Sequence, residues 1–422
     1  MQSTVMTLAV HDLTLFLGIF VAGIIGARVA SLLKLPDVVL FLLLGIALGP
    51  ACLGFVNLSS GSLLNTLILL FGASFIIFHG GLMIQWRILR NVWVTISLLS
   101  VTGLLITVII TGIGASWILG IPTISGLLLG AILASTDPAA LVPIFQAFPI
   151  RERVAQTVIA ESAFTDATGA ILTTVILGII GVKATESVPS PTFDASTFLH
   201  ASGTFFWLAG GGIAVGFAVG MVCAAMLSFR RGGIFQEYAP TVAILAVLGG
   251  YLVAEEIHVS GFMSVFTAGI VLGNSVRFKM ALLHDQMKQL HDFIDPISLK
   301  MRMLIFIFLG SQVDFGLISD YGWQALAVVL VFMFIARPIT VLFSLVPDRT
   351  VKWTLREMIF FCWTRETGVI AAALIGMIAG TGLKEAKLFS AVIFVVILAT
   401  LLVQASTTPW LAKKLGLLED QS

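Results

Sequence analysis

Thirteen apolar stretches of about twenty residues or more follow one another along this chain of 422 residues, near 13–33, 36–55, 63–84, 90–118, 123–147, 153–181, 200–229, 238–255, 258–275, 297–319, 322–346, 354–380 and 386–412. A stretch of that length matches the thickness of a bilayer core, and backbone groups in hydrocarbon must satisfy one another within helices. The expected fold is therefore an all-α polytopic membrane protein. Charged residues make up 11% of the chain and mean hydropathy is +1.08, against about 25% charged in soluble domains. A net charge of +1 offers no basis for a nucleic-acid partner. The first stretch lacks a basic lead and reads as a retained helix, not a cleaved signal. Cys52, Cys223 and Cys362 lie in apolar sequence and read as small core residues, not as a disulfide or metal set.

Loop charges order these spans. Connections after odd-numbered spans hold Lys34; Arg87 and Arg90; Arg151 and Arg153; Arg230 and Arg231; Arg277, Lys279 and Lys288; Arg349, Lys352 and Arg356. The C-terminal tail holds Lys413 and Lys414, whereas connections after even-numbered spans hold only Lys183, Lys384 and Lys387. The positive-inside rule then places the N-terminus outside and the C-terminus in the cytoplasm, as expected of a prokaryotic inner-membrane protein.

Two patterns recur. Gly45-Ile46-Ala47-Leu48-Gly49 in the second span is matched in the ninth by Gly269-Ile270-Val271-Leu272-Gly273. Ser135-Thr136-Asp137 in the fifth span is matched in the twelfth, at a similar offset, by Thr364-Arg365-Glu366. Repeat mates stand seven spans apart, and an odd shift means inverted halves. The expected organisation is a first half at 1–182, a linker helix at 200–229 and a second half at 238–412.

Polar chemistry concentrates in these spans. A carboxylate at bilayer depth costs roughly 2.5–3.5 kcal/mol on insertion scales, yet Asp137, Glu161 and Asp166 lie close together. Pro138 disfavours helix at Asp137 and removes a backbone donor, so span five should break near Thr136–Asp137. Thr364, Thr367 and Gly368 weaken span twelve around Arg365-Glu366, which could compensate the exposed helix ends. Ser162 and Asp166 share one face of span six; Glu161 and Thr165 share the next. The Ser162/Asp166 face is expected to meet the break and form a cation site, with Na+ at Asp137, Ser162 and Asp166. Thr136 and Thr165 are further candidate ligands, although Thr165 could equally turn back onto its own helix. Glu161 needs a permanent partner, and Arg337, alone in span eleven, can hold a carboxylate with two parallel bonds. His79 is either a proton sensor or a packing residue. No metalloprotease, nucleophile-elbow or related enzyme signature occurs.

Ser-Thr-Asp-Pro at 135–138, followed by Glu-Ser-x-x-x-Asp at 161–166, resembles the monovalent cation:proton antiporters of the NhaP/NHE type along nearly the whole chain. The resemblance implies two crossed discontinuous helices, a homodimer and no cofactor beyond the transported ions. It implies Asp166 as the central ion- and proton-binding acid, with Asp137, Thr136 and Ser162 as ligands and Glu161 paired with Arg337. Departures stand at Thr165, where many relatives carry Asn or Asp, at His79, where an acid is common, and at the Thr364–Gly368 run. The expected activity is exchange of Na+ or Li+ for H+, one for one, by alternating access. A K+/H+ antiporter and a sodium-coupled organic-solute symporter are the alternatives.

Overall fold

The computed structural model describes residues 2–33, 36–56, 62–136, 141, 145, 148–180, 195–228, 235–280 and 282–419. Helices make up nearly all of them. The first five are α1 (Gln2–Leu33), α2 (Asp37–Leu48), α3 (Leu63–Met83), α4 (Trp86–Leu119) and α5 (Thr123–Ala134). There follow α6 (Glu152–Ile180), α7 (Ala195–Leu227), α8 (Ala239–Glu256), α9 (Gly261–Gly273) and α10 (His284–Ser311). The last are α11 (Phe315–Leu345), α12 (Leu355–Trp363), α13 (Val369–Ala379) and α14 (Ala386–Leu415). Eight described helices are long and apolar enough to cross a membrane, and α2, α5, α9 and α13 are shorter apolar helices. The exterior is apolar as well as the core: Trp117 and Trp323 are 83% and 82% exposed, while Arg337 and Arg365 are fully buried. Apolar side chains facing outward with charges kept inside is the arrangement a lipid solvent selects.

Several boundaries differ from the hydropathy reading. α1 begins at Gln2, and α2 stops at Leu48 because Pro50 disfavours helix at Gly49. Cys52 is consequently exposed in the turn that follows, unlike buried Cys223, and does not belong to the core. The tenth span, expected at 297–319, starts instead at His284 and ends at Ser311. Its first part is amphipathic: Gln286, Leu290 and Ile294 are buried at four-residue spacing, while Lys288, Asp292 and Asp295 are exposed. Averaged hydropathy reads such a segment as loop. Asp314 then starts α11 by accepting from the N–H groups of Gly316 (2.9 Å) and Leu317 (3.3 Å).

The glycine repeat occupies two equivalent seams. A Cβ on Gly45 of α2 would stand 2.3 Å from the carbonyl oxygen of Ile307 and 2.9 Å from Gly310 Cα in α10. A Cβ on Gly269 of α9 would stand 2.4 Å from the carbonyl oxygen of Phe78 and 3.2 Å from Gly81 Cα in α3. Gly49 meets Ser311 in the first seam, and Gly273 meets Leu82 in the second. One shift in sequence carries Gly45 to Gly269 and Gly49 to Gly273. A second, nearly equal shift carries Phe78 to Ile307, Gly81 to Gly310 and Leu82 to Ser311. Together they map one set of contacts onto the other. In both seams helix backbones touch with no side chain between them.

Gly45→Ala and Gly269→Ala should each destabilise the protein by about 1–3 kcal/mol through overpacking. Gly249→Ala, where nothing lies within 4 Å, should be neutral or slightly stabilising. Thermal unfolding in detergent separates the two cases.

Candidate ion-binding site

α5 ends at Ala134, and Ser135 turns into extended backbone (φ −69°, ψ 129°). That turn points two hydroxyls at α6. Ser135 Oγ donates a short hydrogen bond to Asp166 Oδ1. Thr136 Oγ1 lies 3.1 Å from Ser162 Oγ and 2.8 Å from Thr165 Oγ1. Thr165 gives its own proton to the Ser162 carbonyl at 2.9 Å, so toward Thr136 it can only accept. Thr136 therefore divides one proton between two oxygens. Ser135, Thr136, Ser162, Thr165 and Asp166 are all buried. The result is a compact set of oxygen donors around one carboxylate, suited to a hard monovalent cation or a proton.

The second break, between Trp363 and Val369, comes from a separate part of the chain and meets the first. Arg365 Nη2 donates to the Ala134 carbonyl at 3.0 Å, and Thr367 Oγ1 reaches the Leu133 carbonyl at 3.5 Å. A guanidinium thus sits on the C-terminal carbonyls of α5, where the helix dipole is negative. Arg337 does the same for α12: Nε donates to the Phe361 carbonyl at 2.8 Å and Nη2 to the Thr364 carbonyl at 3.3 Å. Arg337 also grips Glu161 with two parallel bonds, Nη1 to Oε1 and Nη2 to Oε2, the latter at 3.0 Å. Arg365 Nη1 stands 3.6 Å from Glu161 Oε1, and its guanidinium lies over the Phe332 ring at 5.6 Å. One carboxylate and two guanidiniums, all fully desolvated, join α5, α6, α11 and the second break.

Ser162 and Thr165 thus lie beside the first break, and Asp166 is bonded to it. Arg365 lies on the end of α5, and Glu366 is buried next to it. Asp137, with most of the second half of span five, lies outside the described residues. His79 is turned elsewhere: its Nε2 is 2.9 Å from Asp295 Oδ1 on α10, with His291 Nδ1 3.9 Å from the same oxygen. Two features escape sequence reasoning. Ser135, two residues before Asp137, touches Asp166 directly, and the only available signal was its hydroxyl beside the break. Arg365 approaches Glu161 as well as a helix end, a contact that depends on how two distant spans cross.

A model of the transmembrane region of sodium/hydrogen exchangers matches residues 16–414. The chain belongs to that family. It is 32% identical to "Probable Na(+)/H(+) antiporter 2" of Methanocaldococcus jannaschii, over 87% of this chain and 85% of the relative. It is 29% identical to "K(+)/H(+) antiporter NhaP" of Alkalimonas amylolytica, over 94% of this chain but 65% of that longer protein. Among solved structures, the sodium proton antiporter MjNhaP1 of Methanocaldococcus jannaschii at pH 8 superposes with a TM-score of 0.78 at 27% identity, over 96% of this chain and 99% of that one. This chain is a cation/proton antiporter of the NhaP type, an integral membrane transporter.

Removing Arg337 would leave Glu161 and the last carbonyls of α12 without their main donor. Arg337→Leu should cost about 3–5 kcal/mol, the usual result of breaking a buried pair, read as a large fall in melting temperature. The double variant Glu161→Leu/Arg337→Leu should recover part of the loss. Arg337→Lys should recover little, because one ammonium cannot serve a carboxylate and two carbonyls together.

Proposed function

We propose that this chain exchanges Na+ or Li+ for H+, one for one, with Asp166 carrying either the cation or the proton. The observation that carries this reading is the contrast between two buried acids little more than one helical turn apart. Glu161 is held by two arginines, whereas Asp166 accepts from the Ser135 hydroxyl, next to the linked hydroxyls of Thr136, Ser162 and Thr165. A locked acid holds the scaffold; an acid among exchangeable oxygen donors can trade ligands. Ser135, Thr136 and Ser162 supply oxygens, with Asp137 as a further ligand. Thr165 buttresses Thr136, its proton being committed to its own helix.

Charge supports single-ion stoichiometry. Thr165 adds no further acid beside Asp166, and Arg337 and Arg365 offset Glu161 and Glu366, so Asp137 and Asp166 are left to share one cation or one proton. An empty, charged site crosses a low-dielectric barrier poorly because its desolvation is uncompensated, and competition for one carboxylate couples the two fluxes. Alternating access follows from two halves, 1–182 and 238–412, joined by α7. The interchangeable glycine seams support those halves, and a homodimer is the expected assembly. Loop charge places the N-terminus outside and the C-terminus, with the Arg151/Arg153 end of α6, in the cytoplasm. His79, 2.9 Å from Asp295, is the candidate pH-sensing residue. Exchange of K+ is the second reading, favoured by the relatives named as K+/H+ antiporters.

The test is proton flux in sealed proteoliposomes with a preset pH gradient, on adding Na+, Li+ or K+. Wild type should dissipate the gradient, most with Na+ or Li+, and Asp166→Asn should lose the response while melting like wild type. Robust exchange by Asp166→Asn would end the assignment, and a preference for K+ would establish the second reading.

A further inference from the structure

A cavity of about 350 Å³ opens between α6 and α13 on one side and α8, the turn at 257–260 and α9 on the other. It lies along α6 beyond Asp166, toward the end opposite Arg151 and Arg153. Ala170, in its lining, is one helical turn from Asp166 on the same face, and Thr173 is about two turns from it. The cavity therefore approaches the ion site to within roughly 6 Å of helical rise.

Two polar groups in this cavity have no role in the packing described so far. Thr173 is 1% exposed, and its Oγ1 has no hydrogen-bond partner. Its neighbours on the same helix behave otherwise: Thr168 and Thr174 turn their protons back to the carbonyls of Phe164 and Ala170, at 2.8 and 3.0 Å. A buried hydroxyl that forgoes this bond is costly to keep unless something else uses it. The second group is Glu255, an exposed carboxylate in the lining. Tyr251, one helical turn earlier on α8, lines the same cavity. Tyr251 is itself fixed: its ring packs against Gly261, where a Cβ would stand 2.6 Å away, and edge-on to Phe262 at 5.4 Å.

We propose that this cavity is the outer vestibule of the antiporter, in which Glu255 gathers hydrated monovalent cations and the Thr173 hydroxyl replaces the first water they lose on the way to Asp166. The proposal rests on the antiport reading above and adds to it the residues that deliver the ion from one face. An acid at the mouth of a low-dielectric cleft raises the local cation concentration. An unpartnered hydroxyl farther in offers an oxygen that needs no rearrangement to accept the ion. Glu255 and Thr173 act before the exchange step, so they should govern apparent affinity at one face and leave the turnover rate alone.

The experiment compares right-side-out and everted membrane vesicles holding wild type, Glu255→Gln, Thr173→Val, Thr173→Ser or Asp166→Asn, with Na+ added outside the vesicle. In right-side-out vesicles Glu255→Gln should raise the apparent KM for Na+ about fivefold with an unchanged maximal rate, and choline chloride should shrink the difference by screening. Thr173→Val should raise KM at the same face, with Thr173→Ser close to wild type. In everted vesicles, where Na+ meets the opposite face, all three should match wild type. Wild-type KM at the outer face for both Glu255→Gln and Thr173→Val, or equal shifts at both faces, would overturn the vestibule while leaving antiport intact. Wild-type vesicles indistinguishable from Asp166→Asn with every cation would overturn the antiport reading and the vestibule with it. Should Thr173→Val fail to accumulate, Glu255→Gln decides alone.

Discussion

Arg337 holds the centre of this molecule together. Its guanidinium stands where an interrupted helix runs out of hydrogen-bond partners, and it answers two needs at once: the carbonyls of Phe361 and Thr364, and the charge of Glu161. Without a buried cation the end of α12 could not stop inside an apolar core, because water is absent and exposed carbonyls are costly there. Arg365 completes the pattern by covering the end of α5. Each broken span thus has an arginine on the carbonyls where its first half-helix stops. The irregular backbone of the two breaks can then persist inside the apolar core.

The same arrangement separates two kinds of acid. Glu161 is saturated by geometry: two parallel bonds to one arginine and a second arginine nearby. Farther along α6, Asp166 accepts from the Ser135 hydroxyl, and Thr136, Ser162 and Thr165 link their hydroxyls nearby; hydroxyls can rotate and switch between donating and accepting. Rigidity in the first group and adaptability in the second are complementary, since hydroxyls that can reorient need a fixed frame. π-helical turns at 98–103 and 331–336 add to that frame. The Gly103 carbonyl accepts from Thr107 at 2.9 Å and from Thr340 at 3.3 Å, and Thr168 divides its proton between the Phe164 carbonyl at 2.8 Å and the Ser100 carbonyl at 3.2 Å.

Much of this was readable in the chain. Apolar length and the charge of short loops disclose a polytopic helical protein, because lipid imposes one rule on every span. Pro138 announces the first break, and Thr364–Gly368 the second, through local backbone preferences. A lone arginine in an apolar span points to a buried acid. What could not be read depended on distant segments meeting. Ser135 was one hydroxyl among several until the turn after Ala134 aimed it at Asp166. The Arg365–Glu161 approach required the crossing of two spans from opposite halves of the chain. Hydropathy misjudged α10 because half of that helix is amphipathic, with Gln286, Leu290 and Ile294 turned inward and charges outward.

The paired glycine seams have a consequence for energy. Contacts that map onto one another by a near-constant shift in sequence are built from nearly the same atoms, so their strengths are nearly equal. On the proposed division into two halves, each can adopt the shape the other now has, and the exchange returns a structure of similar free energy. Two end states at almost the same level leave little intrinsic bias between them. The direction of net movement is then set by the ion gradients on the two sides, and the machine can run in reverse when those gradients do.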